Sequence, residues 1–201
     1  MKIAELLIAY KIKKNAIRQA LKKFGKPNDG RELFIELCYC LCTPQSKAEN
    51  VYAAINDKHS EMLLGANKER LSSFLRGTCR FHKNKAGYII NSRKLIPQLE
   101  RLPKDPRTAR EWLVKNVKGL GYKEASHFLR NIGYRNIAIL DRHVLNSLHA
   151  LGVLKDANVP TNGKRYEEME HKLRKFSERI GIDMDELDLL LWSMKTGKIL
   201  K

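Results

Sequence analysis

Strand-type alternation is nearly absent from these 201 residues, and nowhere do about 18 apolar residues run together. The first absence excludes a β-rich architecture and the second a transmembrane helix. The opening Met1-Lys2-Ile3-Ala4-Glu5 leads into a helical pattern rather than a secretory signal, so an intracellular, cytoplasmic protein is expected. Acidic residues are scarce, with 22 Asp+Glu against 39 Lys+Arg and a formal charge of +17. Such an excess on a folded chain favours a polyanionic partner through counterion release; DNA, RNA and an acidic membrane all remain open. Cysteine is sparse as well. Cys38, Cys40 and Cys42 fall at i, i+2 and i+4, a spacing that shares no helical face and suits neither a metal nor a disulfide, and Cys79 stands apart. All four read as buried or half-buried thiols, with no metal and no cofactor implied. Internal repeats and low-complexity tracts are also missing.

What is present is helical spacing. Ile3, Leu6, Leu7 and Tyr10 recur on that period, as do Leu33, Phe34, Leu37 and Leu41; Tyr88, Ile89, Leu95 and Ile96; Leu173, Phe176 and Ile180; and Leu187, Leu190, Leu191 and Met194. An all-α fold is expected. Punctuation falls at Gly25 to Gly30, Leu102 to Pro106 and Val159 to Gly163, and the length suits one or two small lobes around a cleft. The stretch from Pro103 to Pro106 is expected to separate the central helices from a lobe that begins near Thr108.

The densest chemical signal is the segment Lys118-Gly119-Leu120-Gly121-Tyr122-Lys123, with Asp141 lying 18 positions beyond Lys123. Gly119 and Gly121 suit a tight hairpin whose exposed N–H groups, with the N-terminus of the next helix, form an anion site for a nucleic-acid phosphate. A helix-hairpin-helix results, with its first helix at Thr108 to Val117 and its second at Lys123 to Ile132. A lysine in the first turn opposes the helix dipole, which favours the neutral amine, the form that attacks carbon. A helix of about ten residues runs out roughly 15 Å, and Ile137 to Leu140 returns about 13 Å in extended form, so Asp141 is expected back near Lys123. Taken singly, Lys123 also reads as a solvated surface group and Asp141 as an N-cap.

The run Val117-Lys118-Gly119-Leu120-Gly121-Tyr122-Lys123-Glu124-Ala125, succeeded by Leu140-Asp141-Arg142-His143-Val144, resembles the helix-hairpin-helix DNA glycosylase superfamily, and within it the archaeal-type 8-oxoguanine DNA glycosylase/AP lyase family. The resemblance implies that Lys123 attacks C1′ of the damaged nucleotide, that Asp141 assists, and that the enzyme is a lyase as well as a glycosylase acting on duplex DNA containing 8-oxoguanine. Leu41-Cys42-Thr43-Pro44-Gln45-Ser46-Lys47 is similar to a superfamily segment that enters the duplex near the flipped nucleotide, with Gln45 in that role; the same residues also read as a helix start capped by Thr43 or Ser46. DNA contacts are expected from Lys118, Gly119, Gly121, Arg142 and His143 too. Family members end in a lysine that reaches the base pocket, which implies a part for Lys201 in recognising the lesion.

Trp192, Phe81 and His127 complete the candidates for base recognition, the first two by stacking on a flipped base or on the opposite strand and His127 by lining the pocket. A frayed terminal lysine, a core tryptophan and a surface His143 stand as the plain readings. Some relatives in the superfamily carry a four-cysteine iron–sulfur cluster near the C-terminus, whereas here no cysteine occurs after Cys79. By the resemblance, residues 1–30 and 150–201 form one helical lobe and residues 31–149 the other, with the cleft between them in a monomer. Two other readings remain open: a glycosylase of the same fold for another lesion, and a non-catalytic helix-hairpin-helix DNA-binding module.

Overall fold

The computed structural model describes residues 2–25 and 29–199, and among these every regular element is helical. In chain order the helices are α1 (Ile3–Lys23), α2 (Gly30–Cys42), α3 (Ala48–Ala54), α4 (Ser60–Gly65), α5 (Lys68–Leu75), α6 (His82–Ser92), α7 (Ile96–Leu99), α8 (Pro106–Asn116), α9 (Tyr122–Asn131), α10 (Arg142–Ala150), α11 (Gly163–Ile180) and α12 (Met184–Thr196). Short polar residues set where many of them start. Asp29, Asn67, Asp105, Asp141, Asn162 and Asp183 each accept an amide hydrogen bond from the first turn they precede. Each such cap satisfies an amide without a helical partner and contributes about 1 kcal/mol.

The chain divides into two units, one of residues 26–132 and one of residues 1–25 with 133–201. In the central unit α2 is enclosed by α4, α6, α7 and α9, and α5 pairs with α6. Leu33, Phe34, Leu37, Cys38, Cys40, Leu41 and Cys42 are consequently buried although they lie on different faces. Helical spacing alone assigns α2 one buried stripe; contact with four helices buries three cysteines at once. In the terminal unit α12 packs against α1, α10 and α11, with Leu187, Leu190 and Leu191 fully buried. Its start is locked to α1 through Glu186, which binds Arg18 at 2.7 Å and the Tyr10 hydroxyl. Ile3 is exposed, because it stands at the very start of α1.

These boundaries differ from those read in the sequence. The second segment of the terminal unit begins at Gly133 rather than at residue 150, and this moves Asp141 out of the central unit. The physical reason is polar: the extended stretch before Asp141 spends its amides on side chains of α11 and α12. Pro103 to Pro106 marks no boundary either. Asp105 caps α8 with Pro106 in its first turn, so this proline starts a helix inside the central unit.

Candidate active site

The hairpin is built as its glycines require, though by unequal means. Ala109, Leu113 and Val117 on the α8 side and Ala125, Phe128, Leu129 and Ile132 on the α9 side are buried, which fixes the two helices against each other. Gly119 has φ +89, and a Cβ there would stand 2.3 Å from the Tyr88 ring, so both conformation and space demand glycine. Gly121 does not share that positive φ. Its φ of −92 and ψ of 179 are extended backbone; it serves as the N-cap of α9 and contributes no side-chain cap. Gly121 has no side chain with which to cap the amides that open α9, a helix end suited to an anion.

Lys123 lies in that first turn, its side chain about one-third exposed, with Nζ 3.4 Å from Oε1 of Glu124. The neighbouring carboxylate offsets the unfavourable dipole at this helix end. One turn on, His127 is half-buried and meets the Tyr39 ring edge-on at 5.6 Å between centroids; Tyr39 in turn meets Tyr52 at 6.1 Å. Asn131 closes the same helix by donating to Glu36 on α2 at 2.6 Å. An amine, a histidine and an aromatic wall thus share one side of α9 where it adjoins α2.

Asp141 is the N-cap of α10, with Oδ1 accepting from Val144 N at 2.8 Å, and it is half-buried. The segment that delivers it has no strand partner. Asp185 accepts from Asn136 N (3.2 Å) and Ile137 N (3.3 Å), Glu170 from Ala138 N (3.0 Å) and Asp188 from Ile139 N (3.2 Å). The Tyr166 hydroxyl accepts from Leu140 N (3.1 Å) and donates to Ala138 O (2.8 Å). Five consecutive amides are thereby held by four buried side chains, which stand in for a neighbouring strand. Burial pushes the Asp185 carboxyl up from its ordinary value, against the opposing effect of the Asn136 amide.

The remaining candidates are more scattered. Arg142 and His143 are exposed in the first turn of α10, beside Asp141. Lys118 is exposed in the hairpin. Gln45 is exposed with φ 55 in the turn after α2, and Phe81 is 54% exposed with φ 58 as the residue preceding α6; the Arg80 guanidinium lies over its ring at 5.6 Å. Thr43 and Ser46 do not cap α3, whose N-cap is Lys47. Trp192 is half-buried on α12. Lys201 lies outside the described residues. All four cysteines are free and buried; a hydrogen bond from Cys42 draws the Cys79 thiol down to about 7, while burial raises Cys38 and Cys40. Among the described residues no group of three His, Cys, Asp or Glu is placed to hold a metal.

Sequence reasoning missed the supports of the site. Tyr166, Glu170, Asp185 and Asp188 carry the segment before Asp141; acid spaced among the leucines of α12 was a sign of the last two, and nothing marked Tyr166 and Glu170 on α11. Lys85, 4% exposed, was equally unannounced.

A family model described as 8-oxoguanine DNA glycosylase matches residues 14–182 of the chain, a span that includes the hairpin, Lys123 and Asp141. The chain belongs to the 8-oxoguanine DNA glycosylase family. Relatives named 8-oxoguanine DNA glycosylase/AP lyase include one from Korarchaeum cryptofilum, 40% identical over 92% of this chain and 90% of the relative, and one from Fusobacterium nucleatum, 42% identical over 96% and 94%. Among solved members of the family, the 8-oxoguanine DNA glycosylase of Thermotoga maritima superposes with a TM-score of 0.91 at 35% identity, covering 98% of this chain and 97% of that one. The Methanocaldococcus jannaschii 8-oxoguanine glycosylase/lyase, in complex with a 15mer DNA containing 8-oxoguanine, gives 0.88 at 32% identity over 98% and 100%. The all-helical architecture is thus the fold of the glycosylase family along nearly the whole chain.

Proposed function

We propose that this protein removes 8-oxoguanine from duplex DNA and then cleaves the strand at the resulting site, acting as a monomer in the cytoplasm on the DNA of the nucleoid. The observation that carries the reading is Lys123 in the first turn of α9, half-buried behind a Gly119 hairpin, in a chain of this family. A phosphate seats on the amides of the hairpin, helped by Lys118, and Arg142 and His143 grip a further one. Extrusion of the damaged nucleotide costs a few kcal/mol, recovered from such contacts and from Gln45 entering the duplex.

The neutral amine of Lys123 then forms a bond to C1′ as the bond from C1′ to the base nitrogen breaks, and the base leaves with the bonding pair. Asp141 stabilises the positive charge that develops on the sugar and takes up the lysine proton. Opening of the sugar ring yields a Schiff base. Loss of a proton from C2′ then expels the 3′ phosphate, so the strand is cut by β-elimination. The lesion differs from guanine at N7, which carries a proton, so the pocket needs an acceptor there that guanine would meet with a repelling lone pair. Lys201 is assigned to that recognition, and Trp192, Phe81 and His127 to stacking and lining.

Borohydride trapping tests the reading. With an 8-oxoguanine duplex the protein is expected to form a covalent adduct that Lys123→Gln abolishes while DNA binding persists. Deletion of Lys201 is expected to lose discrimination against guanine. An adduct formed only with an oxidised pyrimidine, or Lys123→Gln retaining strand cleavage, overturns it.

A further inference from the structure

Among the described residues of the central unit, Lys85 is the one lysine whose burial is nearly complete, at 4% exposure, and the function proposed above gives it no task. From α6 its ammonium reaches back to the turn after α2. It donates to Cys42 O at 2.8 Å, to Pro44 O at 2.8 Å and to Ser46 Oγ at 3.1 Å, which uses all three of its protons. The first of these carbonyls belongs to the final turn of α2, which has no basic residue of its own, so Lys85 supplies the cation that this helix end favours. Ser46 Oγ donates in turn to Pro44 O at 3.2 Å and accepts from Arg80 N at 3.1 Å.

Two exposed side chains flank this node, and both stand on left-handed backbone that non-glycine residues rarely adopt. Gln45, φ 55, lies between the two residues that Lys85 holds, and Phe81, φ 58, comes directly after the residue that Ser46 holds. Such conformations persist only where surrounding bonds over-determine them. The buried ammonium and the Ser46 hydroxyl are those bonds, and their geometry leaves the two tips free to project. Burial lowers the ammonium's hold on its proton, with the Cys79 and Cys42 thiols acting against that tendency.

We propose that Lys85 is a positioning residue for duplex entry: through Ser46 it sets the Gln45 turn and the Phe81 loop at one fixed spacing, so that the two tips enter the stack without first being ordered. This rests on the reading of Gln45 as a residue that enters the duplex. Lys85 itself touches no DNA in this scheme.

The test uses a duplex with 2-aminopurine beside 8-oxoguanine, whose fluorescence rise on binding reports unstacking and needs no chemistry. Lys85→Met keeps the stem and removes the three donors; Ser46→Ala removes only the bridge and serves if the first variant does not fold. Both are expected to weaken the fluorescence response about tenfold at fixed protein. Gln45→Ala should do the same, and Lys85→Met with Gln45→Ala should be no worse than either alone. Borohydride trapping on a single-stranded abasic oligonucleotide, which has no stack to enter, is expected to stay within about twofold for Lys85→Met and Ser46→Ala. A double variant whose defect is the product of the two singles overturns the proposal, as does a parallel loss of single-stranded trapping, the mark of general damage. Unaltered protein that unstacks the duplex in a Lys85-dependent way but forms no adduct would refute the catalytic reading and leave this one standing.

Discussion

Gly119 shows how much a single position can be asked to do. The left-handed backbone and the Tyr88 ring both exclude a side chain there, the latter at 2.3 Å from any Cβ. Gly119→Ala is expected to cost about 1–3 kcal/mol, read by thermal or denaturant melting, and to weaken duplex binding more than the lost stability explains, since the hairpin amides lose their aim. Gly121→Ala is milder, because its backbone is extended and the nearest atom is the mobile end of Glu124. The sequence displays the two glycines identically. Their difference comes from Tyr88, which lies on a helix distant in the chain, and no local rule predicts its approach.

At the scale of elements, the segment before Asp141 is the informative one. An extended stretch with buried amides ordinarily needs a neighbouring strand; here helices α11 and α12 provide acid and hydroxyl acceptors instead. Tyr166→Phe removes the acceptor for Leu140 N and the donor to Ala138 O, and is expected to cost about 1–3 kcal/mol in denaturant melts and to slow excision. Asp185 adds a pH signature. Its folded-state carboxyl titrates above the ordinary range because it is buried, so its charge opposes folding at neutral pH. That penalty grows as pH rises from the unfolded value, about 3.9, through the raised folded one. Asp185→Asn keeps only one of the two acceptor oxygens and is expected to be less stable at every pH, but by less at pH 7 than below about pH 4, because the variant lacks the titrating charge. Melting curves at the two pH values decide it. The helices themselves were legible from period and caps; the partners of the segment between α9 and α10 were not, because a hydrogen bond across 26 to 49 positions leaves no periodic trace.

For the whole molecule, the charge of +17 sets how binding answers salt. A protein that neutralises about six phosphates loses on the order of a thousandfold in affinity between roughly 50 and 200 mM salt. Titration of an undamaged duplex across that range should show such a slope, and a flat response would remove the hairpin and the basic excess from the account. Lys118→Ala should reduce the slope by about one while leaving lesion preference alone, as expected of a phosphate contact.

The sequence by itself determined the helical class, the hairpin, the place of Lys123 in a first turn and the family to which the chain belongs. Those depend on period, glycine and capping chemistry among neighbouring residues, and such patterns survive in one dimension. Tertiary structure alone decided that the chain divides at Gly133, that α2 is buried on more than one face, and that buried acids and Lys85 fix the segments bearing Asp141 and Gln45. Those are matters of desolvation, in which a buried polar group must find its partner wherever the fold brings one, and proximity of that kind is not written in spacing.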